Sequence, residues 1–200
     1  MERPHGQILL VLLFAVLSPL SAETYTIAPA AGAELRLKVY KTGFMRGKVH
    51  DFVFMRYSGK IEFDAERDEN FTVTIEIEAN SLVCEDTWVS AKDLAKVVQE
   101  AKGIILDIER HPVITFRSLE MRSVGADRFE VDGKLTIRGR SEASRVLLTM
   151  KRTSADELRF DGESVVTLKT YGIKPPSAAF GAVGTKNEMD LSFRLVARRN

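Results

Sequence analysis

The stretch FEVDGKLTIRGRSE, residues 129–142, contains the pattern that decides the fold. Apolar residues or glycine occupy every second position from Phe129 to Ile137, and charged or polar residues lie between them. Successive side chains of a β-strand point to opposite faces, so this period of two predicts a strand with one apolar and one solvated face. The following RGRSE, residues 138–142, is polar and contains glycine, which predicts a turn.

The same alternation recurs at residues 71–78, 158–168 and 189–195. Charged or small polar residues separate these stretches, for example at 123–127 and 154–157. Regular short strands with such turns predict an all-β fold, either an antiparallel sandwich or a barrel.

One segment, SAKDLAKVVQEAKGIILDIERHP at residues 90–112, has helical periodicity instead. Its apolar positions are Leu94, Val97, Val98, Ala101, Ile104, Ile105 and Ile108. Ser90 and Asp93 resemble a capping box, Gly103 is expected to end or bend the helix, and Pro112 to stop it. We therefore expect one amphipathic helix inserted in the β-chain, covering an open end or flank of a barrel.

The first 22 residues, MERPHGQILLVLLFAVLSPLSA, have the layout of a secretory signal peptide. The apolar run at 8–17 is shorter than the roughly 20 residues that a membrane-spanning helix needs. We expect residues 1–22 to be cleaved and residues 23–200 to form one domain, periplasmic or secreted, without stable membrane insertion.

Charge and cysteine content narrow the classes of partner. The formal net charge is +1 and basic residues are interleaved with acidic ones, so no nucleic-acid partner is expected. Cys84 is the single cysteine, so the chain has no internal disulfide. A small buried residue is the favoured interpretation of Cys84, and an exposed thiol would leave a homodimer open.

His50 and Asp51, in GKVHDF at residues 47–52, are the first candidates for a catalytic pair. Neighbouring residues of a strand point to opposite faces, so the two side chains are not expected to meet. His50, His111 and Cys84 lack a recognisable ligand spacing, and no nucleophile motif is present. The sequence therefore predicts no enzyme, with no catalytic residues, no metal ligands and no cofactor. His50 remains either a hydrogen-bonded residue at a strand end or a polar group near a ligand pocket.

Phenylalanines occur on nearly every expected strand, and they leave two interpretations open. A packed core explains them without a ligand, whereas a closed barrel of about eight strands has an interior that can hold a small apolar molecule. Composition does not separate the two. Trp88 fits either core packing or the mouth of a pocket.

Four stretches, in their order and spacing, resemble the YceI-like family over about residues 24–198. They are GKVHDFVF with SGKIEFD, HPVITFRS, VDGKLTIRGRS, and YGIKPPSAAFGAVGTKNEMDLSFRL. The resemblance implies a lipocalin-like antiparallel barrel of eight strands, a helix packed beside its opening, and an apolar tunnel for one long-chain amphiphile. The chain departs from the family at AKDLAKVVQEAKG, where Lys92 replaces an arginine that the family often has and the helical segment is extended.

On this basis we expect a carrier that sequesters an isoprenoid or fatty-acyl ligand. The candidate ligand-binding residues are Phe44, His50, Phe52, Phe54, Trp88, Leu94, Phe116 and Phe180. His50 is expected at the tunnel mouth and the apolar residues along the tunnel. An envelope stress or interaction protein with a filled barrel is the alternative, followed by an enzyme that uses His50.

Overall fold

The computed structural model describes residues 23–64 and 67–200. The expected signal peptide, residues 1–22, lies outside the described residues. The strands within the described ranges are β1 Thr24–Ile27, β2 Glu34–Gly43, β3 Val49–Phe54, β4 Tyr57–Asp64, β5 Arg67–Glu78, β6 Leu82–Cys84, β7 Val113–Gly125, β8 Arg128–Ile137, β9 Arg140–Arg152, β10 Glu157–Thr167, β11 Ser177–Ala178 and β12 Val183–Arg199. Their pairings are antiparallel throughout.

The sheet closes on itself into a barrel. Strand β12 pairs with β10 along one edge, and along its other edge with β2 and then β1. Three pairs of consecutive strands each form one long bent path: β1–β2, β3–β4 and β5–β6. The two halves of a path pair with the two halves of the next path. Thus β4 pairs with β1, while β3 pairs with β2 on one side and with β6 on the other. The two-residue strand β11 pairs only with β12 and lies off the barrel path. Counting each bent path once and leaving out β11 gives eight strands, which confirms the expected eight-stranded antiparallel barrel.

The stretch that predicted the fold forms the hairpin of β8 and β9. Ile137 pairs directly with Arg140, so the turn contains only Arg138 and Gly139. Both have positive φ, 52° and 71°, as a two-residue hairpin turn of matching twist requires. The polar RGRSE segment therefore contains the expected turn.

One end of the barrel is filled by aromatic rings. Phe71 lies at the centre of this group, with ring centroids 5.3 Å from Phe63, 6.0 Å from Phe129 and 6.2 Å from Phe160. Tyr25 packs edge-on against Phe63 at 5.6 Å. We call these five residues the aromatic floor, because they close the end of the barrel where β1 meets β12.

Two glycines make room for rings just above the aromatic floor. A Cβ on Gly133 would lie 2.6 Å from the Phe116 ring and 2.6 Å from the Arg117 carbonyl oxygen. A Cβ on Gly162 would lie 2.3 Å from the Phe193 ring. Phe116 and Phe193 therefore pack against bare backbone, a packing that any larger residue at either glycine would displace.

The opposite end of the barrel is covered by the helical segment between β6 and β7. Helix α1, Ala91–Glu100, begins at Ser90, whose hydroxyl accepts a hydrogen bond from the Asp93 backbone N–H at 3.2 Å. It continues as a π-helical stretch, Ala101–Leu106, and ends at Asp107 with φ of 50°. Gly103 thus lies inside the helical segment instead of ending it.

No helix in the described ranges is long and apolar enough to cross a bilayer.

The π-helical stretch changes which residues face the barrel. Ile104 is 68 % exposed, although α-helical spacing placed it on the apolar face with Ala101 and Ile105. A π-helical turn contains more residues than an α-helical turn, so Ile105 and Leu106 are the residues that pack, partly buried, against the core.

Short 3₁₀ helices occupy Ala79–Ser81, Leu168–Tyr171 and Ala179–Gly181. The last strand is longer than the alternation at 189–195 indicated, because β12 already begins at Val183. The irregular loop expected at 171–188 is correspondingly shorter.

Replacing Gly133 by alanine tests the packing of Phe116 against bare backbone. The new methyl collides with the ring and with a carbonyl oxygen, so the free energy of unfolding is expected to fall by about 1–3 kcal/mol in urea denaturation. Gly103→Ala is the control, because a Cβ there meets nothing within 4 Å. It should leave stability unchanged or raise it by up to about 1 kcal/mol. Equal stability of the two variants would contradict the packing described.

Candidate ligand-binding cavity

The half of the barrel between the aromatic floor and the helical segment contains an apolar cavity of about 160 Å³. Strands β2, β3 and β12 form one wall, and Val97, Ala101 and Ile105 of the helical segment form the cover. Other apolar lining residues include Leu37, Val39, Phe52, Phe54, Val166, Leu168, Ile173 and Met189. We call this space the upper cavity.

A second apolar space of about 70 Å³, the lower cavity, lies between the upper cavity and the aromatic floor. Phe116 and Phe193 line it. Ile77, Leu135 and Leu191 line both cavities and therefore separate them. The two spaces form one apolar channel that three aliphatic side chains interrupt.

In the upper cavity polar side chains line the outer end, which we call the mouth, and Ser144 is the one polar residue among the described residues that line the lower cavity. The polar residues of the mouth are Lys41, His50, Glu100 and Thr185. Lys41 follows Leu35, Leu37 and Val39 on the inward face of β2, so that strand passes from apolar residues to a cation as it reaches the mouth. Within the described ranges neither Lys41 nor Glu100 forms a salt bridge. The channel is thus apolar in its depth and polar at its opening, which suits an amphiphile.

His50 is 6 % exposed and is held by Asp86, which follows β6. His50 Nδ1 lies 2.5 Å from Asp86 Oδ2, and the Asp51 backbone N–H donates to Asp86 Oδ1 at 2.8 Å. The Asp86 side chain is 1 % exposed. One buried carboxylate therefore fixes the position of the ring and of the adjacent backbone.

Trp88 holds the other side of the His50 ring. The two rings stack at 5.1 Å with an interplanar angle of 29°. Trp88 Nε1–H donates to the Val49 carbonyl at 2.9 Å, and Lys48 Nζ lies 5.4 Å from the indole centroid. Trp88 packs behind His50 and is not part of the cavity lining.

Cys84 completes a polar cluster next to His50 and Asp86. One ligand-type atom from each of the three residues lies within 4.8 Å of the other two, which is close enough for a metal site. Two observations favour a hydrogen-bonded cluster instead. Both Asp86 oxygens already have partners, and burial raises the pKa of the Cys84 thiol to about 11, which favours the neutral form over the thiolate that binds metals.

Asp51 points away from His50, as strand alternation requires. Its carboxylate lies 2.7 Å from Arg36 Nη1 on the outer face of the barrel. Cys84 is buried at 9 % exposure, so its thiol is not available on the surface of the folded chain as a handle for a disulfide-linked dimer.

The structure brings four of the predicted ligand-binding residues to the channel. His50, Phe52 and Phe54 line the upper cavity, and Phe116 lines the lower one. Leu94 packs on the core beside the cavity without lining it.

The structure places Phe44 and Phe180 outside the channel, where they are 89 % and 113 % exposed. Phe44 lies in the turn between β2 and β3, where strand alternation no longer predicts the facing direction. Phe180 lies in a short turn with φ of 53°, which directs the ring outward into solvent. Neither residue contributes to the tunnel lining that the sequence predicted.

Other residues of the site were not identified from the sequence. Lys41 continues the alternation of β2, and extending that pattern could have found it. Met189 lies within the alternation at 189–195 but was not named as a lining residue. Asp86 could not be found in this way, because it follows a strand of only three residues and meets His50 through the pairing of β3 with β6.

Three comparisons relate the chain to known proteins. The family model described as YceI-like domain matches residues 25–197. A protein called UPF0312 protein from Pseudomonas savastanoi pv. phaseolicola is 26 % identical over 155 residues, covering 73 % of each chain. Among solved structures, Burkholderia cenocepacia BcnA superposes with a TM-score of 0.67 at 20 % identity, covering 84 % of this chain and 98 % of that one.

A second solved structure is a polyisoprenoid binding domain from Saccharophagus degradans, implicated in plant cell wall breakdown. It superposes with a TM-score of 0.64 at 12 % identity, covering 88 % of this chain and 98 % of that one. At these identities the two structures show that the barrel fold is shared.

Asp86→Ala tests the role of the buried carboxylate. Removing it leaves the His50 ring and the Asp51 backbone N–H without an acceptor, so we expect the free energy of unfolding to fall by about 2–4 kcal/mol. The neighbouring Glu85→Ala is the control. Its carboxylate is 50 % exposed and pairs with Arg36 at the surface, so the change should stay within about 1 kcal/mol. Urea denaturation of both variants measures the difference, and similar losses would argue against the cluster.

The raised pKa of Cys84 predicts slow alkylation. With the pKa near 11 instead of 9.0, the thiolate fraction at pH 8 is about a hundredfold lower than in the unfolded chain, and iodoacetamide labelling followed by mass spectrometry should slow by at least that factor. Because folding favours the protonated thiol, this contribution to stability is complete below about pH 9 and is lost as the pH rises through about 11. Equal labelling rates with and without urea would refute the buried placement.

Proposed function

The chain belongs to the YceI-like family, and from that premise we propose that it binds the apolar tail of a long-chain amphiphile, an isoprenoid or a fatty-acyl compound, inside the barrel. The observation that carries the proposal is the largely apolar channel with a cluster of polar and charged side chains at its mouth. Each buried CH₂ group contributes about 0.8 kcal/mol, so a chain molecule gains affinity along its length without specific polar contacts.

The size of the channel favours a thin, chain-like ligand. A cavity of about 150 Å³ is known to accept benzene, so the upper cavity of about 160 Å³ has room for a short section of tail. A longer tail reaches the lower cavity only if the side chains of Ile77, Leu135 and Leu191 rotate aside. A bulky, rigid ligand does not fit this path.

The mouth supports a polar or acidic head group on the ligand. Lys41 supplies a cation, and Thr185 a hydroxyl. Asp86 occupies Nδ1 of His50, which leaves Nε2 as the ring nitrogen available to a ligand. Glu100, from the helical segment, opposes an acidic group near the cover and directs it towards Lys41.

We place this role in the periplasm or outside the cell, on the basis of the signal-peptide layout of residues 1–22. The proposed role is binding and transfer without chemical turnover. The only histidine of the site is held by Asp86 and Trp88 next to a thiol that burial keeps neutral, which is a poor arrangement for a nucleophile.

Two neighbouring valines on β10 provide a matched test of the binding site. Val166 is 4 % exposed and lines the upper cavity, whereas Val165 is 60 % exposed on the outer face. Val166→Phe should fill the cavity and weaken the uptake of an isoprenoid or fatty-acyl probe by at least about tenfold, at a stability cost of up to about 3 kcal/mol. Val165→Phe should bind like the unmodified chain.

Native mass spectrometry of the purified mature protein, followed by lipid extraction, measures both the resident ligand and the uptake of probes. The proposal requires a mass increment that denaturation releases as a lipid. A ligand-free protein that takes up neither probe class, or equal uptake by the two valine variants, would contradict binding in the upper cavity.

A further inference from the structure

Two loops meet beside the mouth. They are the β2–β3 tip, residues 43–48, and the β11–β12 loop, residues 179–182. The Phe44 backbone N–H donates to the Ala182 carbonyl oxygen at 3.0 Å, and Gly43 pairs with Val183 at the start of β12. Both strands that carry these loops also line the cavity, through Lys41 and Thr185. The loops therefore form one continuous edge of the opening.

This edge exposes two large apolar rings to solvent. Phe44 is 89 % and Phe180 113 % exposed, the two highest exposures among the large hydrophobic residues of the described ranges. Ala179 and Phe180 both have positive φ, 50° and 53°, a conformation that residues with a side chain rarely adopt. An apolar ring exposed to water and a backbone in an unfavourable conformation both lack a benefit for the stability of the isolated fold. Exposed apolar patches and strained backbone conformations concentrate at functional surfaces.

The chain on either side of these two loops is rich in cations. Residues 41–49 and 168–187 contain no aspartate or glutamate, and their basic residues are Lys41, Arg46, Lys48, Lys169, Lys174 and Lys186. Within residues 23–64 and 67–200 none of these six forms a salt bridge. Lys48 and Lys186 instead lie over the rings of Trp88 and Tyr40. On the flank of the barrel, by contrast, arginines such as Arg122 and Arg145 are paired with carboxylates.

We propose that this edge docks on an anionic lipid bilayer, with Phe44 and Phe180 inserted among the acyl chains and the six cations facing the lipid head groups. Apolar side chains surrounded by lysine and arginine are the combination that binds peripheral proteins to anionic membranes. Docking in this orientation brings the mouth to the bilayer surface, so a lipid tail passes into the channel without crossing water. The docking surface is formed by the two loops and not by the cavity lining, so vesicle binding and ligand binding can succeed or fail separately.

Vesicle co-sedimentation of the mature protein tests the proposal. We expect binding to vesicles of phosphatidylcholine containing about 30 % phosphatidylglycerol, weak binding to pure phosphatidylcholine, and a marked loss of binding at 0.5 M salt. The double variant Phe44→Ser/Phe180→Ser should lower the partition coefficient by at least about tenfold, because both anchors lose their apolar surface.

Leu119→Ser is the matched control, because Leu119 is 65 % exposed on β7, away from the two loops. It should bind vesicles like the unmodified chain, and thermal melts should show all variants folded. Absence of binding to anionic vesicles would overturn the proposal, as would equal binding of the double variant. Sedimentation velocity tests the alternative that a second copy of the chain binds this edge. A dimer that the double variant abolishes, without vesicle binding, would assign the edge to a second copy of the chain and refute docking on lipid.

Discussion

The pairing of the last strand with the first is the constraint on which the rest of the structure depends. Tyr25 to Ile27 pair with Arg199 to Ala197, and this contact converts a bent sheet into a closed barrel. Closure fixes a central volume that the inward side chains must share. At the closed end the rings of the aromatic floor fill that volume. Towards the helical segment most inward residues are aliphatic, with Phe52 and Phe54 among them, their volume no longer suffices, and a channel remains. The fold and the binding site are therefore consequences of one geometry.

Much of this architecture follows from residues that obey a simple period. The alternation from Phe129 to Ile137 predicted a strand, its buried face and the turn after it, because a barrel strand has one inside and one outside. The same rule separated His50 from Asp51 correctly. Periodicity failed where the backbone is irregular. Helical spacing placed Ile104 on the apolar face, but Ile104 lies outward because the helix becomes π-helical. Phe180 lies outward because its turn adopts positive φ. Asp86 was out of reach, since only the three-dimensional pairing of β3 with β6 brings it to His50.

The polar cluster around His50 shows how a buried histidine is accommodated near an apolar channel. The carboxylate that neighbours it in sequence, Asp51, lies outside and pairs with Arg36. The carboxylate that it contacts comes from 36 residues further along the chain. Asp86 satisfies the ring and a backbone N–H at once, while Trp88 restricts the ring by stacking. Asp86 and Trp88 thus set the position and orientation of the ring, so His50 is a fixed polar group at a mouth that Lys41, Glu100 and Thr185 also line.

The helical segment that covers the channel has a consequence for the kinetics of exchange. Neither α1 nor its π-helical extension has a buried residue, whereas the barrel strands around them hold the core. Segments with few buried contacts open at a smaller free-energy cost than the whole domain, as independent local units. The barrel itself need not unfold for a molecule to enter or leave. If the channel holds the proposed amphiphile, its residence time is set by how often this cover detaches, so affinity would reside in the barrel wall and the exchange rate in the cover.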